Sequence, residues 1–291
     1  MKEVILLVGP PGSGKSTYCS TNYKDYYCIS QDDMGKKHLD YYKIGLETGL
    51  NIIIDRMNFN KEQRNRYLNL AKQQGYSTKI VVLHVPSEIC LSRCKARLNH
   101  PTIKDNTDAV RAIDLFFRKY ERVENKEADK VERLGWDGNK EQAIVSDLDG
   151  TLCNIDHRMN LLKGTSDSVS NQKKNWKGFF ENIPNDTPNK WCQEILWKFQ
   201  DSVPIILCSG RPDDHRKITE KWLNDNMIDY NHLFMRRRGD FRKDDLVKEI
   251  IYEFEIKPRY DILFWVDDRK QVVEKIRSHG VTVLACHEGN Y

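Results

Sequence analysis

No apolar run in the 291-residue sequence approaches the roughly 20 residues that cross a bilayer, so a membrane partner is not expected. The first residues carry one lysine and pass straight into a short apolar run and a glycine loop, which is not the shape of a signal peptide. A cytoplasmic protein is therefore expected. Metal-binding cysteine pairs are missing too. Of eight cysteines none forms a CxxC pair, and the one close couple, Cys90 and Cys94, has no second Cys/His pair at ligand spacing. Reduced, mostly buried thiols are the expected state. There is no internal repeat and no long low-complexity tract.

Charge is plentiful but uneven. Residues 1–140 hold 24 Lys+Arg against 18 Asp+Glu, whereas residues 141–291 hold 23 against 25. A basic first half suits an anionic ligand such as a nucleotide or nucleic acid. An acid excess in the second half suits carboxylates gathered around a metal.

Short β-branched runs alternate with helical patterns through the whole chain. "EVILLVG", "YYCIS", "NIIID" and "KIVVLHV" read as buried strands, and "KEQRNRYLNLAKQQG", "SEICLSRCKARL" and "DAVRAIDLFFRKYERV" as helices. The alternation lapses in the polar stretch "GWDGNKEQ" and then restarts. "AIVSDLDG", "VPIILCSGR" and "DILFWVDDR" read as strands, while "HRKITEKWLNDNMI", "KDDLVKEIIYEF" and "KQVVEKIRSHG" read as helices. The pattern predicts two α/β domains with parallel sheets, at 1–138 and 142–291. Residues 160–190 read as an irregular insertion covering a site, anchored by Trp176, Phe179 and Phe180.

"GPPGSGKST" (9–17) has the form G-x-x-x-x-G-K-[ST], with a strand entering and a helix leaving. Glycines there let backbone N–H groups turn toward phosphate oxygens, and the following helix adds its positive end. Gly12, Ser13, Gly14, Lys15, Ser16 and Thr17 are the expected ATP-binding residues, with Lys15 on the β- and γ-phosphates and Ser16 on magnesium. Asp32, ending the second strand in "ISQDD", can accept a proton from an attacking hydroxyl, or can serve as a helix cap. Arg93 and Arg97 lie four apart on one helix face and suit either a lid over the transferring phosphate or a solvated surface.

"IVSDLDGTL" (144–152) places Asp147 and Asp149 where a buried strand ends, at the edge where α/β folds bind ligands. Asp147 can attack phosphorus, and Asp149 can protonate the leaving oxygen and then activate water. Ser209 and Arg211 in "LCSGR" can hold phosphate oxygens. Lys248 can neutralise the pentavalent intermediate, and Asp267 and Asp268 in "WVDDR" can complete a magnesium site with Asp147.

The second half thereby resembles the haloacid dehalogenase (HAD) superfamily of phosphatases. The whole chain resembles the polynucleotide kinase-phosphatases of tailed bacteriophages, through the P-loop, "DD" at 32–33, "DLDGTL", "SGR", "RKDDLVKE" and "VDDRKQVVE". The resemblance implies a P-loop 5′-hydroxyl kinase with Asp32 as base and Arg97 and Arg93 as lid, fused to a HAD-like (Rossmannoid) 3′-phosphatase. In that phosphatase it implies roles for Asp147, Asp149, Arg158, Arg211, Asp244, Lys248 and Asp267, and it counts Asp149 among the metal-holding acids. It implies ATP and magnesium as cofactors, RNA or DNA ends with 5′-hydroxyl and 3′-phosphate as substrates, a separate ligase as functional partner, and action in a host cell. A homo-oligomer is compatible with it.

Two departures stand out. The family's acceptor-binding arginine is replaced by Gly35, followed by Lys36 and Lys37, and "IDRMNFN" shifts Asp55 and Arg56 by one, which affects the acceptor role of Asn58. A kinase/phosphatase of a nucleotide or sugar metabolite is the main rival, and a nucleotide-gated module regulating the phosphatase is the second. Lys36, Lys37 and the basic residues of 111–122 discriminate by whether they line a groove to Asp32. "MRRRGDFRK" (235–243) reads either as a backbone-tracking basic run or as a solvated turn.

Overall fold

The computed structural model describes residues 2–96, 105–136, 138–162 and 175–289, with side chains as far as residue 286. The chain forms two compact units, one of Met1–Gly138 with Glu253–Pro258, the other of Asn139–Tyr252 with Arg259–Tyr291.

In the first unit, strands β1 (Glu3–Val8), β2 (Tyr27–Ser30), β3 (Ile52–Asp55), β4 (Ser77–Leu83) and β5 (Lys130–Leu134) form one sheet in the order β2-β3-β1-β4-β5. Every pairing in it is parallel. Val4 to Val8 are completely buried, as a central strand covered on both faces requires. The helices are α1 (Lys15–Asn22), α2 (Gln31–Met34), α3 (His38–Glu47), α4 (Lys61–Gln73), α5 (Ser87–Ala96) and α6 (Asn106–Lys119). The loop between β1 and α1 and the ends of β2 and β3 lie at one sheet edge, with Ser30 paired to Asp55. Glu253–Pro258 fills this unit's core: Phe254 is fully buried, with His84, Phe117 and Tyr120 at ring distances of 4.6, 5.2 and 5.0 Å.

The second unit has β6 (Glu141–Ser146), β7 (Cys153–Asn154), β8 (Thr187–Pro188), β9 (Ile205–Pro212), β10 (His232–Arg236), β11 (Tyr260–Arg269) and β12 (Val283–Gly289). Five of these make a parallel sheet in the order β10-β9-β6-β11-β12, and β7 and β8 pair antiparallel. Its helices are α7 (Asp156–Met159), α8 (Trp176–Glu181), α9 (Lys190–Phe199), α10 (Arg216–Asp225), α11 (Asp244–Ile251) and α12 (Lys270–Arg277). β6 is central, and Val266 of β11 pairs with Ser146. That register brings Asp267 alongside Asp147.

Three expectations change. Strands β5, β10 and β12 were not foreseen: β5 and β10 mix charged and apolar residues, whereas β12 belongs to the apolar run "VTVLAC", which was not read as a strand. The helix expected over "KDDLVKEIIYEF" ends at Ile251 and gives way to a single π turn, Tyr252–Ile256. Residues 175–190 are ordered rather than irregular: the Asn175 side chain accepts from Gly178 N–H at 3.0 Å and starts α8, which buries Phe179 and Phe180 and leaves Trp176 half exposed. Residues 163–174 of the expected insertion lie outside the described residues.

Candidate active sites

At the edge of the first sheet a cavity of about 390 Å³ is lined by Gly12, Gly14, Lys15 and Ser16, and also by Asp32, Asp55, Arg56 and Arg111. Gly12 has φ +78°, and a Cβ there would run into the Cys90 carbonyl on α5, so only glycine fits. Lys15 Nζ folds back onto the loop, donating to the carbonyls of Gly9 (3.0 Å) and Pro10 (2.8 Å). Ser13 and Thr17 do not line the cavity, and Ser13 is buried within the loop.

Asp32 is exposed at the start of α2 and faces the same cavity as Lys15 and Ser16. Ser30 is the cap of that helix, its hydroxyl accepting from Asp33 N–H at 3.3 Å, so capping does not account for Asp32. Arg93 donates to the Gly12 carbonyl at 3.4 Å from α5 and is not among the cavity residues. Arg97 lies outside the described residues. Of the discriminating cations, Arg111 lines the cavity, whereas Lys36 and Lys37 do not.

Asn58 also lines it, but its amide is directed inward, donating to the Leu7 carbonyl at 2.7 Å. The turn that carries Asn58 is held from α4 by the buried Arg64, which pairs with Glu127 at 2.7 Å and donates to the Asn58 carbonyl. Arg56 donates to Gln31 Oε1 and Tyr67 Oη, both at 2.7 Å. Its side chain is thereby fixed beside the cavity, a placement its shifted position in "IDRMN" did not reveal.

At the edge of the second sheet Lys248 Nζ lies 2.8 Å from Asp147, 2.9 Å from Asp267 and 3.4 Å from Asp244. Burial opposes its charge, but the surrounding carboxylates outweigh burial and raise the lysine well above its ordinary range. Burial likewise pushes Asp147 up, against the pull of Lys248. Asp244 also accepts from Arg236 at 3.0 Å, and despite burial its neighbouring cations hold it below the usual carboxylate range.

Asp147, Asp267 and Asp268 each offer an oxygen within 4.8 Å of the others. Asp268 Oδ2 is buried without a hydrogen-bond partner, and Gly150, at φ +88°, leaves room for that carboxylate where any Cβ would collide with it. Three hard oxygen donors and one unsatisfied buried oxygen fit magnesium.

Asp149 departs from expectation, because its carboxylate is not in this cluster. It receives Arg158 Nη2 at 2.5 Å and Arg211 Nη2 at 2.7 Å. Burial would raise it, yet Arg211 and Arg158 overcome burial and hold it well below the usual range. The proton donor expected there is thus an ionised carboxylate held by two guanidiniums. Both arginines are fully buried, and Asp186 accepts from the same Nη2 atoms, at 2.6 Å from Arg158 and 2.9 Å from Arg211; Asp186 also meets His157 at 2.9 Å. Arg158 further lies over the Phe179 ring at 4.1 Å. Asp186 was missed because it sits in the stretch read as irregular, where no spacing marks it. Ser209 is buried, its hydroxyl accepting from Arg211 N–H at 3.2 Å, and so shapes the turn.

Residues 141–291 match the family model described as polynucleotide kinase PNKP phosphatase domain, and residues 36–121 match an AAA domain model. Several curated proteins share sequence with the chain. Transcription factor bHLH140 of Arabidopsis thaliana is 36% identical over 108 residues, 33% of this chain and 12% of that protein. A proposed bifunctional polynucleotide kinase/RNA ligase of Autographa californica nuclear polyhedrosis virus is 24% identical over 94% of this chain and 40% of its own length. A proposed bifunctional polynucleotide phosphatase/kinase of Acanthamoeba polyphaga mimivirus is 29% identical over 46% and 33%. The chain thus spans less than half the length of each. No helix among the described residues is long and apolar enough to cross a membrane.

Proposed function

Because the chain belongs, through residues 141–291, to the polynucleotide kinase PNKP phosphatase family, we propose that it heals both ends of a nucleic-acid break, phosphorylating a 5′-hydroxyl and removing a 3′-phosphate. The observation that carries this reading is the convergence of Asp147, Asp267 and Asp268 around Lys248 inside the matched domain. A separate cavity that unites a P-loop with Asp32 supports the kinase half.

In the phosphatase, a carboxylate oxygen of Asp147 attacks phosphorus as the bond to the nucleoside 3′-oxygen breaks, leaving an aspartyl-phosphate. Water then attacks phosphorus and frees Asp147 and inorganic phosphate. Lys248 neutralises charge on the transferring group, and Arg158 and Arg211 turn their guanidiniums to its oxygens. Transfer of those arginines to phosphate releases Asp149, which can then take a proton from solvent, pass it to the leaving oxygen, and recover one from the water that attacks the aspartyl-phosphate. Magnesium held by Asp147, Asp267 and Asp268 supplies charge neutralisation.

In the kinase, Asp32 takes the proton of the 5′-hydroxyl as its oxygen bonds the γ-phosphorus and the bond to the β-phosphate oxygen breaks. Lys15 swings from the Gly9 and Pro10 carbonyls to the phosphates of ATP, Ser16 offers its hydroxyl to magnesium, and Arg93 steadies the loop. Both products are what a ligase joins, so a separate ligase acts next. We place this action in the cytoplasm, on RNA ends among its substrates.

The test uses a short RNA with a 5′-hydroxyl and a 3′-phosphate, magnesium and γ-labelled ATP. Wild type is expected to label the 5′ end and release the 3′-phosphate, with Asp32→Asn losing only the first activity and Asp147→Asn only the second. An RNA left unlabelled while ATP is hydrolysed sinks the kinase half. Retention of the 3′-phosphate by wild type sinks the other.

A further inference from the structure

Phe241 is 96% exposed, the most exposed large apolar side chain among the described residues. It contributes nothing to the core of its unit, yet the backbone on both sides of it is tightly held. Arg236 Nη1 donates to the carbonyls of Asp240 (3.3 Å) and Arg242 (2.6 Å), which flank Phe241. The same guanidinium donates through Nε to the Gly210 carbonyl (2.8 Å) and through Nη2 to Asp244 (3.0 Å). Asp240 is buried and paired with the Arg242 side chain at 2.5 Å. One arginine thus joins the loop to β9 and to the carboxylate beside Lys248. Asp244 is three positions beyond Phe241, a reach of at most roughly 11 Å.

Within this run Arg236 and Arg242 are absorbed in holding the loop, whereas Arg238, which meets Asp214 at 3.4 Å at the surface, and Lys243 are exposed and flank Phe241 in sequence. An exposed phenyl ring in a basic run suits a base joined to phosphodiesters better than it suits an apolar protein surface.

We propose that Phe241 is a stacking platform for a nucleobase at the 3′ end whose phosphate is removed. The inference rests on the 3′-phosphatase reading and adds the feature that makes the site prefer polynucleotides. Stacking uses the π face that every base has, so the platform is indifferent to base identity and to the 2′-hydroxyl.

The test compares phosphate release by the full chain from three substrates: a single-stranded oligonucleotide 3′-phosphate, the same strand with abasic sites at its last positions, and β-glycerophosphate. Phe241→Ala is expected to lower kcat/KM on the first by about tenfold, mostly through KM, and to leave the other two within about twofold. Phe241→Trp is expected to restore the wild-type rate. Equal loss on all three substrates, or no loss on any, overturns the platform; the latter is what a protein-docking ring would give. Wild type that hydrolyses β-glycerophosphate but no oligonucleotide end overturns the 3′-phosphatase reading itself. Wild type and Phe241→Ala that heal the oligonucleotide equally well overturn only the platform.

Discussion

Lys248 Nζ lies 2.8 Å from Asp147 and 2.9 Å from Asp267, so a single buried ammonium group neutralises both the proposed nucleophile and an adjacent metal-site carboxylate. Lys248→Met keeps the length of the side chain but leaves Asp147, Asp244 and Asp267 without their shared cation. Loss of one partner from a buried ionic cluster costs about 3–5 kcal/mol. The variant is expected to lose 3′-phosphatase activity, keep 5′-kinase activity and unfold at lower denaturant. Magnesium should recover part of the lost stability. Denaturation with and without the metal checks this, and an unchanged midpoint without metal contradicts it.

Asp186 pairs with both arginines of the proposed phosphate pocket, at 2.6 Å from Arg158 and 2.9 Å from Arg211. It is a positioning residue, touching no reacting atom. Asp186→Asn keeps the size and removes the charge, letting both guanidiniums drift. Misplacement of this kind costs up to about a hundredfold in rate. Phosphate release should fall on oligonucleotide and β-glycerophosphate alike, with inorganic phosphate losing potency as an inhibitor. Unchanged inhibition by phosphate would refute the positioning role.

Asp147, Asp267 and Asp268 each bring an oxygen within 4.8 Å of the others, with Asp147 also meeting Lys248 at 2.8 Å. Magnesium at about a hundredfold over its Kd should stabilise the protein by about 2.7 kcal/mol, through binding to the folded state alone. Asp268→Asn removes the carboxylate whose Oδ2 is buried and unpartnered. It should therefore abolish most of the magnesium-dependent shift. Thermal melts across a magnesium titration measure both, and an equal shift in wild type and variant would place the metal elsewhere.

Much of the candidate site was legible because parallel α/β sheets bring side chains together at strand ends, and strand ends are visible as apolar runs giving way to polar residues. Asp147, Arg211, Asp267 and Asp268 were found that way, and Lys15 and Ser16 by loop spacing. Arg158 and Asp244 came through resemblance alone, since neither lies at the end of an apolar run. Asp186 and Arg236 escaped for a different reason. Each acts through partners distant in sequence, and their neighbourhoods read as an irregular stretch and a basic run. The ionised state of Asp149 was equally hidden, because it depends on two guanidiniums arriving from residues 158 and 211.

Arg111 on α6 lines the cavity that holds Asp32 and Lys15, whereas Lys36 and Lys37 do not. It is therefore the cation we expect to meet a phosphate of the 5′-hydroxyl strand. Arg111→Ala should raise KM for the acceptor by about ten- to a hundredfold, the value of a charge-assisted hydrogen bond, with KM for ATP unchanged. One phosphate contact fewer should also flatten the plot of log KM against log salt by about 0.7 for a single strand. Kinase assays at several salt concentrations read both quantities. A rise in KM for ATP alone would assign Arg111 to the donor.

Phe254 lies far along the sequence from the P-loop but is part of the first compact unit, where it is fully buried beside Phe116, Phe117, Tyr120 and His84. Glu255 of the same segment accepts the Ser87 N–H at the start of α5, the helix that carries Arg93 and packs against Gly12. Phe254→Ala should cost about 3–5 kcal/mol, the price of an emptied aromatic site. A fragment ending at Gly138 should fare worse, because it exposes the same aromatic cluster and leaves that helix start without its carboxylate. Both are expected to lower the temperature at which 5′-kinase activity is lost, and Phe254→Ala should leave 3′-phosphatase activity at low temperature intact. A Gly138-terminated fragment with full kinase activity and wild-type thermal tolerance would show that the first unit folds without the segment.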